Sequence, residues 1–170
     1  MGRFISEDPL GFAGESNNFY AYVGNNPISN VDPLGLCPSK KCQGAGNAPS
    51  PQQYVNDAQA LANQSPSLLN GLDELAILLQ FHRGGALDAQ AYGASNNYAN
   101  YVYGAFFAGL GWPLQETLGA ANVYGTLFSH YNPNTVQMSS SYPGIPAVNV
   151  RNIVNGYNAT KAGVLCTKAQ

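Results

Sequence analysis

ASNNYANYVYGAFFAGLGWPLQETLGAANVYGTLFSH, residues 94–130, decides the fold class of this chain. It reads as two helices, one over 94–110 and one from Pro113 to about His130, with Trp112-Pro113 as the break between them. Small residues recur on both, as Gly104, Ala105, Ala108 and Gly109 and then Gly119, Ala120, Ala121 and Gly125. Such spacing lets two backbones approach closely, so these two helices are expected to pack tightly in a bundle. The alternative is a hairpin that inserts conditionally into a membrane, with Asn96, Asn97 and Asn100 on a pore-lining face.

Working outward, the same logic extends to both sides. Ser50-Pro51 supplies an N-cap and a first-turn proline for QQYVNDAQALANQ, whose Tyr54, Val55, Ala58, Leu61 and Ala62 fall at helical spacing. Ser65-Pro66 repeats the device for SLLNGLDELAILLQFHR, which ends at Gly84-Gly85. That second helix has scarcely any polar face and is expected at the centre of the core. After a loop beyond Asn132-Pro133, VNVRNIVNGYNA is a last short helix. The expected architecture is all-α, a small bundle of about four to five helices.

Composition narrows the function classes. Only 9% of the 170 residues are charged, and the formal net charge is −2. A protein that grips nucleic acid chiefly through phosphates is therefore not expected, and nucleic acid is not an expected partner. At 45% hydrophobic the chain can bury a core. No run of eighteen apolar residues occurs, which excludes a conventional spanning helix. The N-terminus, MGRFISEDPLGF, lacks the apolar stretch of a signal peptide, so export would depend on another carrier.

Residues 1–36 differ from the rest. Two turn units, Asp8-Pro9-Leu10-Gly11 and Asp32-Pro33-Leu34-Gly35-Leu36, flank NNFYAYVGNNPISNV, a short alternating segment too small for a core of its own. The stretch GRFISEDPLGFAGESNNFYAYVGNNPISNVDPLGL resembles the end of the Rhs/YD-repeat core that precedes the variable C-terminal toxins of bacterial polymorphic toxin systems. The resemblance implies a β-cocoon enclosing the toxin and self-cleavage after the second DPxGL unit. Asp8 and Asp32 would be the cleaving aspartates, and Leu36–Cys37 the scissile bond. It also implies a toxin used in interbacterial competition and exported by a contact-dependent apparatus such as type VI secretion. The implied partners are the parent Rhs cocoon, the secretion apparatus and a cognate immunity protein. On this reading residues 1–36 end the core, 37–50 (CPSKKCQGAGNAPS) are a linker and 51–170 are the helical toxin domain.

Within residues 37–170, six basic and five acidic residues leave a net charge of +1. The densest polar patch is residues 82–105, with His82, Arg83, Asp88, Gln90, Tyr92, Asn97, Tyr98, Asn100, Tyr101 and Tyr103 around a Gly-rich entry to the third helix. Residues 84–125 are faintly similar to polymorphic toxin type 44, with Asp88, Asn100, Tyr103 and Gly104 at the matching positions and Gln90 where that family has a basic residue. The candidate catalytic residues are Asp88, Glu116, His82, Tyr103 and Asn100. Asp88 and Glu116 would form a carboxylate acid–base pair, aided by His82 or His130, for hydrolysis of a glycosidic or amide bond. Each has a plainer role as well: Asp88 as a turn cap, Glu116 as a favourable charge at a helix start, His82 and His130 at helix ends.

Neutral hydrogen-bonding side chains beside aromatic faces suit a glycan or glycopeptide. The expected target is thus an envelope component, peptidoglycan or a precursor, with a pore-forming toxin and a cytoplasmic nuclease or nucleotide-directed enzyme as alternatives. No cofactor and no metal are expected.

Cys37, Cys42 and Cys166, with no CxxC or HxxxH spacing, do not make up a zinc site; a catalytic thiol or a disulfide from Cys42 or Cys37 to Cys166 remains, and placement at both ends of the domain favours the disulfide. The disulfide would form only in an oxidising space, which places the delivered toxin in the periplasm of the target bacterium.

Overall fold

The computed structural model describes residue 42 and residues 44–64, 74–129 and 131–167. Asp8, Asp32, Leu36, Cys37 and His130 lie outside the described residues, as does the first half of the expected second helix. The described part is all-α. Its order is α1 (Pro51–Gln64), α2 (Glu74–Gln80), a 3₁₀ turn (Ala89–Tyr92), α3 (Asn96–Leu110), α4 (Leu114–Phe128) and α5 (Ala147–Ala162). An isolated bridge between Met138 and Pro146 stands in the loop before α5.

Local chemistry sets the helix ends. The Ser50 hydroxyl accepts from the Gln53 amide at 3.3 Å, and Pro51 occupies the first turn of α1, where a missing N–H costs nothing. Ser95 does the same for α3, accepting from Tyr98 N at 3.2 Å. Gly111, at φ +93°, lets α3 end in a left-handed turn. Pro113 follows at once and begins α4.

Among the described residues α3 is the most buried helix. Tyr98, Val102, Tyr103, Ala105, Phe106, Phe107, Ala108 and Leu110 are all buried. Rings of Phe81, Tyr103, Phe106, Phe107 and Trp112 meet with centroids 4.7–5.9 Å apart, within the range of favourable aromatic packing. Among the described side chains of α2, Ile77 and Leu78 are buried, whereas Leu79 is 44% exposed. Helix α2 also stops at Gln80, earlier than expected, and residues 81–85 turn away through Gly84 at φ +85°.

The small residues of α3 serve α5 and α1 rather than α4. A side chain at Gly104 would strike the Ile153 carbonyl of α5, and one at Gly156 of α5 would strike the Tyr101 carbonyl of α3. Gly109 meets Val55 of α1. Reciprocal glycines thus bring α3 and α5 into backbone contact, and α4 leaves Val123 and Leu127 exposed. No helix of the described residues is long and apolar enough to cross a membrane.

The described part of the stretch expected as a linker is packed. Ala45 and Ala48 are buried, Ser95 N donates to Gly44 O at 2.7 Å, and Asn47 N donates to Tyr92 O at 2.9 Å. Cys42 is joined to Cys166 by a disulfide, with Cα atoms 5.1 Å apart.

Burial carries a pH consequence. Tyr54 and Tyr98 are each 2% exposed, and desolvation, then neighbouring tyrosines, push both phenols well above their ordinary value of 10.0. Their folded pKa exceeds the unfolded one, so the stabilisation is complete below pH 10 and is lost as pH rises above it. The unfolding free energy should fall progressively as pH rises above about 10, by on the order of a few kcal/mol, as measured by denaturant unfolding. Tyr98→Phe should flatten that fall while costing about 1 kcal/mol at pH 7, through loss of the 2.6 Å bond from its hydroxyl to Pro49 O.

Candidate functional site

A cleft of about 760 Å³ opens between the turn after α2, the 3₁₀ turn, α3, α4 and α5. His82, Asp88, Asn100 and Tyr103 all line it, so four of the five expected catalytic residues converge. Glu116 does not: it is exposed in the first turn of α4, where its charge is favourable to the helix dipole. The expected Asp88–Glu116 pair is therefore not built, because Trp112-Pro113 turns the start of α4 away from the cleft.

Asp88 is buried at 6% exposure and works as a double cap. Its Oδ1 accepts from Gln90 N at 2.9 Å, starting the 3₁₀ turn, and its Oδ2 accepts from Gly84 N at 3.0 Å. The carboxylate thus ties the turn after α2 to the wall that precedes α3. Asp88→Ala strands two amides and should destabilise by about 2–4 kcal/mol, measured by chemical denaturation. Asp88→Asn, which keeps one acceptor oxygen, should lose less than half as much.

His82 is not in the last turn of α2. It lies past the end of α2, and its Nδ1 is 2.6 Å from the Tyr124 hydroxyl of α4. The Phe128 ring packs on both, with centroids 5.5 Å from His82 and 5.2 Å from Tyr124. Burial, then the negative charge of Asp88, then Tyr131, raise the Tyr124 phenol above its ordinary value, so it keeps its proton at neutral pH.

The opposite wall is a chain of neutral groups. Asn96 Nδ2 donates to Asn149 Oδ1 at 2.9 Å, and Asn149 Nδ2 donates to the Tyr131 hydroxyl at 3.0 Å. Gln90 and Asn100 each donate to Asn96 Oδ1, at 3.4 and 3.2 Å. Asn149 is 1% exposed, and a bond at each end of its amide makes that burial tolerable. Tyr103 points its hydroxyl inward to Thr117 O at 3.3 Å and offers the cleft mainly its ring. Phe81, Leu78, Ala99, Ile145 and Ile153 complete an apolar floor.

Among the described residues no group of acidic, cysteine or histidine side chains could hold a metal ion. Tyr124, Asn96, Asn149 and Tyr131 were not among the expected site residues. Asn149 sits in a helix whose other polar residues look the same in sequence, and His82 and Tyr124 are 42 positions apart. No family model matches the chain, and no solved structure matches it.

Proposed function

We propose that this chain carries the effector domain of an Rhs-type polymorphic toxin, and that its cleft binds an uncharged, hydroxyl- and amide-rich envelope ligand such as a glycan or glycopeptide. The amide wall carries this reading. Gln90, Asn96, Asn100 and Asn149 hold one another in place, and aromatic and aliphatic faces lie beneath them. Preset neutral donors and acceptors over an apolar floor recognise sugar hydroxyls and acetamido groups without ionic attraction. The cleft's charged members do not oppose this: both oxygens of Asp88 are taken by backbone amides, and Arg83 is exposed.

The Cys42–Cys166 disulfide supports a working place outside the reducing cytoplasm. Delivery, encapsulation and an immunity partner rest on the Rhs resemblance of residues 1–36. The test is growth of a susceptible bacterium making the full chain with or without an export signal. Lysis or growth arrest only on export is the expected result. Toxicity confined to the cytoplasm would remove the envelope target, and membrane depolarisation with intact sacculi would replace it by a pore.

A further inference from the structure

We infer that His82 is the acid–base group of the cleft, that Tyr124 is its positioning residue, and that the bond they break is an acyl bond, amide or ester. The inference rests on the envelope-ligand reading and names the chemistry of that same site.

The geometry begins with two elements distant in sequence. The turn after α2 delivers His82, α4 delivers Tyr124, and they meet at 2.6 Å inside the cleft. Phe128 packs against both rings, which limits their rotation. The imidazole's other nitrogen, Nε2, has no protein hydrogen-bond partner among the described residues. A base needs its lone pair on that nitrogen, hence its proton on Nδ1. The Tyr124 oxygen supplies the acceptor that holds the Nδ1 proton, as a carboxylate does in other acid–base sites. A protonated phenol does so without adding a second carboxylate to the cleft.

The groups facing this pair are few. Asp88 approaches from the start of the 3₁₀ turn, Tyr131 from the segment after α4, and Arg83 adjoins His82 in the chain with its side chain exposed. Asp88 is the one carboxylate among the described cleft residues, and both of its oxygens hold backbone amides. Glycoside cleavage ordinarily uses two carboxyl groups about 5–10 Å apart, one of them free to hold a proton. An imidazole held through one nitrogen, with the other without a protein partner among the described residues, instead suits acyl transfer to water.

The step balances with water as co-reactant. Water oxygen bonds to the acyl carbon while its proton passes to Nε2, giving an imidazolium whose Nδ1–H remains on the Tyr124 oxygen. The tetrahedral intermediate then collapses, the carbon–nitrogen or carbon–oxygen bond breaks, and Nε2 returns the proton to the leaving atom. A carboxylic acid and an amine or alcohol result, and His82 and Tyr124 end as they began.

The experiment uses the full chain, oxidised, with purified peptidoglycan sacculi as probe. New amino groups without new reducing ends are expected, with at least a 100-fold loss in His82→Gln and about a 10-fold loss in Tyr124→Phe. Long-range proton–nitrogen spectra of the free protein provide a readout that packing alone would not move. His82 should be the Nδ1–H tautomer in the wild type and revert to mainly Nε2–H in Tyr124→Phe. Reducing ends in place of amino groups would overturn the acyl inference and leave the envelope reading standing. Amino-group release that survives His82→Gln, or a wild-type Nε2–H tautomer, would overturn the pair. No release of either kind, together with no toxicity on export, would overturn the reading beneath it.

Discussion

Cys166→Ser is expected to lower the stability of the oxidised protein by about 5 kcal/mol, the chain-entropy value for a closed loop of this length. The bond joins residues 124 positions apart and so restricts nearly the whole helical domain in its unfolded state. For a domain of this size the melting temperature should fall by roughly 15 °C. The native geometry gives no reason for a smaller effect, because both ends are already anchored. Cys42 N donates to Thr167 O at 2.8 Å, and Cys166 N donates to the Tyr101 hydroxyl at 3.4 Å. Adding a thiol reductant to the wild type should reproduce the loss and leave Cys166→Ser unchanged. Equal melting temperatures with and without reductant would remove the disulfide from the energetics. A 5 kcal/mol share is comparable to the whole net stability of many small domains. The reduced chain would then be marginally folded and firm only after oxidation.

The segment that precedes α1 explains how such a loss would reach the cleft. Residues 44–50 lie against the 3₁₀ turn and the start of α3 through Gly44 O, Asn47 N and Pro49 O. Those same elements present Gln90, Asn96 and Asn100. Once Cys42 is released, the cleft wall keeps its internal amide bonds but loses the support behind it. Amide exchange at Asn47 and Ser95 should therefore rise before exchange in the middle of α3.

The helices were legible because their ends carry local chemistry. Ser50-Pro51 and Trp112-Pro113 act within a turn of themselves, and periodicity needs no partner to be seen. What α3 packs against was not legible. Gly104 and Gly109 announce close approach but not to whom, and the neighbour in sequence, α4, turned out to be the lesser partner. The second helix looked central since Leu75, Ile77, Leu78 and Leu79 are all apolar, yet apolarity allows burial without requiring it. Leu79 is exposed.

The site divides the same way. His82, Asp88, Asn100 and Tyr103 lie within one dense stretch, and local density was enough to flag them. Glu116 was drawn in as one of the acidic residues nearest that stretch in sequence, which says nothing about direction. Tyr124, Tyr131 and Asn149 become site residues only through the tertiary arrangement.

Gly156→Ala is expected to cost about 3 kcal/mol or more and to disable the cleft at the same time. The added methyl would occupy the position of the Tyr101 carbonyl and also press on Ala105 N, both on α3, and backbone cannot step aside as a flexible side chain can. Helix propensity works in the opposite direction, favouring Ala over Gly by about 1 kcal/mol. A measured loss therefore reports the seam, with the helix gain already subtracted. To relieve the clash α5 must move outward, and the bonds across the seam lengthen together. Those are Asn152 Nδ2 to Asn97 Oδ1 at 3.0 Å, Thr160 Oγ1 to Ala105 O at 3.4 Å, and Asn96 Nδ2 to Asn149 Oδ1 at 2.9 Å. The last of these is the middle of the amide wall. Gly119→Ala is the control, since nothing lies within 4 Å of a methyl there, and it should be neutral or stabilising by up to about 1 kcal/mol. Thermal melts of the two variants, with loss of activity on export only in Gly156→Ala, would tie cleft function to the glycine seam. Equal stability of the two would mean that α3 and α5 do not meet backbone to backbone.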